Sequence, residues 1–443
     1  MTSGTGSRGA VAAADLLAMA EAGLAAVAPA SAVGVAATRS GDLLRVGETE
    51  IDLSHFGRVV VLGFGKASIG MARALLPLLE GKQVTGTLVA DVGGPASPFE
   101  VLEAAHPVPD ERSVRAGKRI LAAARAAGSS DLIVVLISGG GSSLIAVPTA
   151  GVSLADLQKT NEVLLRSGAT INDFNTVRKH LSDIKGGRLT QALAGAGAIV
   201  TLVISDVVGN DLDAIASGPT VPDPTTFADA LAVLDRFDVR EQMPASVVRH
   251  LRAGVSGALP DTPSAGSVFE KQTVHIVADG AAAASAAALT AADLGYEVEV
   301  ASTRLVGETR LAAGEMVAAA RRLRPGQGLV YAGETTVTVT GDGVGGRNQE
   351  LALAAAIAMA GEEGLTLLSF GTDGIDGRTP VAGGYADGTA VARGKALGLD
   401  AADYLQRNDS HTYLSAIGDT VTTGPTGTNV CDLILLVRSR NSS

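Results

Sequence analysis

The chain predicts an α/β protein in two domains, each a mainly parallel sheet flanked by helices. Three observations carry this. Short β-branched runs end in Gly-rich turns, and Ala/Leu-rich helical stretches follow them. Runs such as 131–137 (DLIVVLI) are apolar throughout, as strands are when helices cover both sheet faces. The alternation lapses across 218–226, with Pro219, Pro222 and Pro224, and across 254–267, rich in Gly, Pro, Ser and Ala, and then restarts. Two Rossmann-like domains are expected, 1–265 and 266–443, in keeping with 443 residues at about 150 per domain.

In the first domain, 58–62 (RVVVL) reads as a buried strand, 63–65 as a turn and 66–79 as a helix. Residues 84–90 form a second strand, and Pro109 marks the start of a helix over 110–127. Strands follow at 131–137 and 198–204. The N-terminal helix before residue 40 can pack on either domain. In the second domain, 274–278 is a strand, 280–294 a helix and 297–301 a strand. A helix through residue 322, strands near 329–332 and 335–340, a helix over 348–360 and strands at 365–370 and 433–437 complete it. No repeat of fixed period is present.

Composition excludes several function classes. With 46% hydrophobic and 18% charged residues the chain is not intrinsically disordered. Aromatics are 3% and Trp is absent, which leaves no platform for stacking bases. Lys plus Arg is 35 and Asp plus Glu is 46, a net charge of −11 that disfavours a nucleic-acid partner. A small anion needs only a few local cations. The one cysteine, Cys431, excludes an internal disulfide, a CxxC zinc site and an iron–sulfur site, and fits a reducing cytoplasm. Asp15 and Glu21 interrupt the Ala-rich N-terminus, so it reads as a first helix, with no signal peptide and no membrane span.

Ligands of open parallel sheets bind beyond the carboxyl ends of the strands, and this chain has polar Gly-rich turns there. Gly63, Gly65 and Lys66 follow a strand and open a helix. Lys66 in the first helical turn opposes the macrodipole, which an anionic ligand would justify; a surface lysine in a tight turn is the plainer reading. Ser138, Gly139, Gly140, Gly141, Ser142 and Ser143 form a nest suited to phosphate or carboxylate. Asp206 ends another strand, where a carboxylate can hold Mg²⁺ or act as a base, while Asp211 and Asp213 read as caps. Residues 341–346 fit GxGxxG formally, between Glu334 and Arg347, and Glu350 complements a helix start. Residues 371–377 carry Asp373 and Asp376, either for a metal bridged to phosphates or for a pair of turns. Residues 422–429 are a run of small donors that could contact a ligand or simply turn. There is no GxxxxGK[ST], no HExxH and no GxSxG, and the six His cluster nowhere.

Taken together the loops resemble the type-2 glycerate kinase family, also called the MOFRL family. The matching pieces are GFGKA (63–67), LISGGGSSL (136–144), SDVVGNDLDAIASGPTVPD (205–223), GETTVTV (333–339), GGRNQELAL (345–353), GTDGIDG (371–377), NDS (408–410) and TGPTGTN (423–429). They occur in the family's order and cover almost the whole chain. The resemblance implies two α/β domains with a cleft between them. It implies transfer of the ATP γ-phosphoryl to the 2-hydroxyl of D-glycerate with Mg²⁺, giving 2-phosphoglycerate. It matches Lys66 to the family's catalytic lysine and Arg347 to its cleft arginine. Asp206 is expected as a catalytic group, and Asp206 and Asp373 as metal ligands. Gly65, the 138–143 loop, Glu334, Gly346, Asn348, Thr372 and Asn429 are expected to bind substrate or nucleotide. The expected partners are D-glycerate and ATP, compatible with a homodimer. After NDS, relatives often carry an aromatic pair; here His411, Thr412 and Tyr413 follow, which bears on local pocket shape.

Two rivals remain. An NAD(P)H-dependent hydroxypyruvate reductase would use two Gly-rich turns and Asp91 at a ribose, but GFGKASIG puts Lys at the pyrophosphate turn and lacks GxGxxG spacing. A non-catalytic solute- or nucleotide-binding protein would not need six separate polar loops.

Overall fold

A computed structural model describes residues 7–440. They fall into two compact units: residues 32–277, and the described residues up to Ser31 together with those from Ala278 onward. Helix α1 (Ser7–Ala26) therefore belongs with the C-terminal portion.

The first unit opens with a three-stranded antiparallel sheet of Ala37–Ser40, Leu43–Val46 and Thr49–Asp52. Its main sheet contains β1 (Arg58–Phe64), β2 (Gln83–Ala90), β3 (Glu100–Glu103), β4 (Asp131–Ile137), β5 (Ala198–Ile204) and β6 (Gln272–Ala278). The order across it is β3-β2-β1-β4-β5-β6. β1 runs parallel to β2 and β4, and β4 parallel to β5, with Phe64 opposite Ile137 and Ile137 opposite Val203. All seven residues of β4 are buried, as the central strand of a covered sheet requires. Helix α2 (Ser68–Leu75) follows β1, and α3 (Glu111–Arg125) precedes β4. Asp110 caps α3, accepting from Arg112 N at 2.8 Å, while Ser113 returns a bond to the cap backbone. Ile120 and Leu121 of α3 then pack with Leu62 and Val135 of the strands; each such side chain stabilises the fold by about 1.5–3 kcal/mol. The short helix α4 (Gly141–Leu144) follows β4, and α5 (Ile171–His180) sits in a satellite core with Phe227 and Leu251.

In the second unit α1 packs on α6 (Gly280–Asp293). The sheet contains β7 (Glu297–Leu305), β8 (Gln327–Gly333), β9 (Leu365–Gly371), β10 (Gly383–Asp387), β11 (Thr420–Val421) and β12 (Asp432–Arg438), in the order β7-β8-β12-β9-β10-β11. Helix α7 (Arg347–Ala358) joins β8 to β9 and buries Leu351, Leu353 and Ala355 in the core.

The α/β class and the two helix-flanked sheets hold, with three corrections to the expected layout. The second sheet is mixed: β7 and β8 are parallel, but β12 lies between β8 and β9 antiparallel to both, and β10 and β11 are antiparallel as well. A strand apolar through its interior, as β12 is over 433–437, reads alike in either direction. The break between units falls at 277/278 and not at 265, because β6 completes the first sheet beside β5. No strand forms at 335–340: β8 ends at Gly333 with φ +152°, Thr336 makes only an isolated bridge to Glu308, and Val339 is 73% exposed. Its Thr/Val composition favours a strand, but beyond that bridge no neighbouring strand pairs with it.

No single helix among the described residues is long and apolar enough to cross a membrane. Residues Ala12–Ala26 and Pro29–Ala36 pass that test only as a pair bent by 57°.

Candidate functional site

The order of the first sheet reverses between β1 and β4, and open α/β sheets bind ligands beyond the strand ends at such a reversal. Two of the predicted loops meet there. Gly65 follows β1 with φ +125°, and a Cβ on it would overlap the Ser138 hydroxyl and carbonyl, so only glycine fits. The Lys66 N–H donates to Gly139 O at 2.9 Å and the Ala67 N–H to Ser138 Oγ at 3.0 Å. The Ser138 N–H in turn donates to Phe64 O at 3.2 Å. Lys66 is half-buried in the turn, two residues ahead of α2, and not in its first helical turn as expected. Asp206 lies half-buried two residues beyond β5, at the same edge of the sheet, because β4 and β5 are parallel.

The loop hydroxyls are engaged within the protein. Ser138 accepts from Ala67, and Ser143 Oγ donates to Pro107 O at 2.7 Å. Ser217 Oγ donates to Asn175 Oδ1 at 2.9 Å, so in the 2.8 Å contact between Ser142 and Ser217 the proton comes from Ser142. The lone pairs of Ser142 Oγ face Arg178 Nη2 and Lys185 Nζ, the latter at 2.8 Å, and Lys185 also donates to Ser142 O at 2.7 Å. These two cations are what sequence reading missed. Burial, followed by the charge of Arg178, pushes Lys185 well below its ordinary pKa, and burial lowers Arg178 to about 10. Arg178 stands in the run Arg178-Lys179-His180 that closes α5, where basic residues ordinarily complement a helix C-terminus, and that masks it.

The second unit gathers its predicted residues around the start of α7. Arg347, the first residue of α7, grips buried Asp432 with two bonds, Nε to Oδ2 at 2.6 Å and Nη2 to Oδ1 at 2.9 Å. Its Nη1 donates to exposed Glu334 at 2.6 Å. Burial opposes the charge on Arg347, but the bond to Asp432 and the charges of Asp432, Glu334 and Asp376 outweigh it and raise its pKa. Asp376, buried and pushed up by that burial, caps α7 by accepting from Asn348 N at 3.0 Å and Gln349 N at 2.9 Å. Gly346 is the backbone position before α7, and a Cβ there would strike Asp376.

Asn348 is 1% exposed, with Oδ1 accepting from Ser369 at 2.6 Å and Nδ2 donating to Asp376 at 3.3 Å, so its amide serves the interior. Thr372 is equally buried; Oγ1 donates to Cys431 O at 2.6 Å and accepts from Val430 N at 2.8 Å, tying together two loops. Asp373 turns its own loop, accepting from Ile375 N at 3.1 Å, and Asn429 accepts from Cys431 N at 3.1 Å. The structure thus joins Arg347, Glu334 and Gly346 at one helix start and uses Asn348 and Thr372 as internal struts.

The formal GxGxxG has another use. Asn408 Oδ1 accepts from Thr340 N at 2.8 Å and Gly341 N at 2.9 Å, and Asp409 Oδ1 from Val344 N at 3.1 Å. Gly341, Gly343 and Gly345 lie against Arg407, Asp409 and Ser410, where Cβ atoms would collide. These glycines pack loop on loop and follow no strand, unlike a dinucleotide fingerprint. Among the described residues no group of three or more His, Cys, Asp or Glu could hold a metal.

Residues 15–252 match the family described as "Domain of unknown function (DUF4147)", and residues 327–432 match the MOFRL family. A D-glycerate 2-kinase of Thermotoga maritima is 43% identical over 392 residues, 86% of this chain and 91% of its own. A crystal structure of a glycerate kinase from Thermotoga maritima superposes with a TM-score of 0.81 at 38% identity, covering 96% of this chain and 98% of that one. A protein of Agrobacterium vitis, 43% identical over 85% of this chain and 86% of its own, carries the provisional name hydroxypyruvate reductase.

Proposed function

This chain belongs to the MOFRL family of type-2 glycerate kinases, and from that premise we propose that it transfers the γ-phosphoryl of ATP, with Mg²⁺, to the 2-hydroxyl of D-glycerate, forming 2-phosphoglycerate. The observation that carries the reading is the joining of the Gly65–Lys66 turn to the 138–143 loop at the strand-order reversal. Phosphoryl transfer asks the protein for positioned positive charge more than for a covalent intermediate. Lys66 stands on a backbone locked to Gly139, and its ammonium is proposed to neutralise the transferring phosphoryl oxygens. On the second unit, Arg347 is proposed to bind the substrate carboxylate by exchanging Glu334, its exposed partner, while Asp432 keeps the guanidinium oriented.

Mg²⁺ fits the residues in one respect. It uses one or two carboxylates plus substrate phosphates and does not need an all-protein cage. Asp206, half-buried at the edge that carries Lys66, would supply such an oxygen, and the ion would neutralise triphosphate charge. Asp373, in the loop after β9, is the other residue proposed as a Mg²⁺ ligand.

The decisive experiment incubates the purified protein with D-glycerate, ATP and MgCl₂ and identifies the product by NMR. The expected product is 2-phosphoglycerate. Formation of 3-phosphoglycerate alone, or no ATP turnover with any short hydroxy acid, overturns the proposal. NADH oxidation with hydroxypyruvate would replace it with the reductase.

A further inference from the structure

We propose that Arg178 and Lys185 form a cradle for a doubly charged phosphate group, supplied by the terminal phosphates of the nucleotide. The source of the phosphate rests on the kinase reading above; the cradle itself rests on geometry within the first unit.

Both cations converge on one neutral residue, Ser142, through its hydroxyl and its carbonyl. Ser142 Oγ sends its proton to Ser217 and presents its lone pairs to Arg178 Nη2 and Lys185 Nζ. The hydroxyl is saturated, and it offsets neither charge. Lys185 is 2% exposed, and the Arg178 guanidinium is steadied over the Phe174 ring, 4.9 Å from its centroid.

The neighbouring lysine shows what a structural solution looks like in the same place. Lys179, also 2% exposed, has Asp213 at 3.0 Å and Asp223 at 3.4 Å. Among the described residues Arg178 and Lys185 make no ion pair. The fold supplies two carboxylates to one buried lysine and none to the adjacent pair. Two like charges held together with one of them out of water are costly unless an anion joins them.

The charge selects the anion. A carboxylate carries one negative charge and leaves one cation unmatched, whereas a phosphate dianion matches both. Donors remain for it: three of Arg178's five N–H groups, those on Nε and Nη1, lie outside the bonds that Nη2 makes to Ser142, and Lys185 keeps a third hydrogen. Ser142 belongs to the loop after β4 whose Gly139 carbonyl is bonded to the Lys66 turn, which ties the cradle's loop to the turn of the proposed phosphoryl-transfer lysine.

The test compares wild type with Lys185→Met and Arg178→Met by thermal melting and calorimetry at constant ionic strength, with tripolyphosphate and with D-glycerate as probes. Wild type is expected to melt higher with tripolyphosphate. Unliganded Lys185→Met is expected to melt at or above wild type, because one buried charge is gone. Each variant should bind tripolyphosphate at least about tenfold more weakly, the scale of a lost charged hydrogen bond, with D-glycerate binding unchanged. Undiminished tripolyphosphate binding in both variants overturns the proposal, and so does a loss confined to D-glycerate, which would mark a carboxylate site. If Lys185→Met does not fold, Arg178→Lys, which keeps the charge and loses the fork, carries the same comparison. The binding measurement needs no turnover. A protein that binds tripolyphosphate here but does not phosphorylate glycerate refutes the function alone, and an active kinase with unaffected variants refutes the cradle alone.

Discussion

Arg347 and Asp432 are joined by two hydrogen bonds, 2.6 and 2.9 Å, between the first residue of α7 and the first residue of β12. The contact spans 85 positions of sequence and fixes the guanidinium at one end of the second sheet. Asp432 is 2% exposed, so Asp432→Asn breaks a largely buried pair. We expect a loss near about 3 kcal/mol, the low end for such a break, because Glu334 still faces Arg347. Urea unfolding of wild type and variant measures it; a loss below about 0.5 kcal/mol, the scale of an ordinary surface substitution, would show that the pair does not hold the unit together.

Lys66→Met removes only the ammonium, since the backbone N–H makes the bond to Gly139. A thermal melt beside the assay reports that the variant is folded. kcat/KM for glycerate should fall well beyond about tenfold, or ~1.4 kcal/mol. A folded variant within that limit removes Lys66 from the catalytic residues.

Gly65→Ala meets both the Ser138 hydroxyl and the Ser138 carbonyl. It should destabilise by about 1–3 kcal/mol, the range for strained backbone, and lower the thermal midpoint. Adding Ser138→Ala should not restore it, because the carbonyl remains. A full rescue by the double variant would place the conflict in the hydroxyl alone.

Asp419 titrates within an accessible range. Burial raises its pKa to about 6, against bonds from Arg393 at 2.6 and 2.8 Å. A carboxyl raised in the folded state contributes stability below its unfolded value of 3.8, and this contribution is lost as pH rises through about 6. Between pH 4 and pH 6 wild type should therefore lose about 2 kcal/mol that Asp419→Asn does not lose. Parallel denaturation series at pH 4, 5, 6 and 7 check the difference in slope. Identical slopes would mean that Arg393 keeps Asp419 ionised throughout.

Much of the first unit was legible because its strands and its Gly-rich turns are local features. A β-branched run that stops at glycine marks a strand end whatever surrounds it, and Lys66, Ser138 and Asp206 were found that way. The pairing of Arg178 with Lys185 was not legible. The two residues lie in an unremarkable segment, and their meaning comes from Ser142, 36 and 43 positions away. Asn348 and Thr372 show the opposite error of a sequence reading. They stand beside Arg347 and Asp373 in the chain, but their side chains turn inward to Ser369 and Cys431.

The sequence by itself determined the α/β class, the run of elements through the first sheet and the polar loops where chemistry belongs. Those follow from periodicity and turn residues, which act over a few neighbours. Only the tertiary structure decided that β12 inserts antiparallel between β8 and β9, that β6 completes the first sheet, and which charges stand paired. Strand direction leaves no mark on a run buried on both faces. Whether a buried cation meets a carboxylate depends on residues tens of positions apart: Lys179 has two, while Arg178 and Lys185 share a hydroxyl.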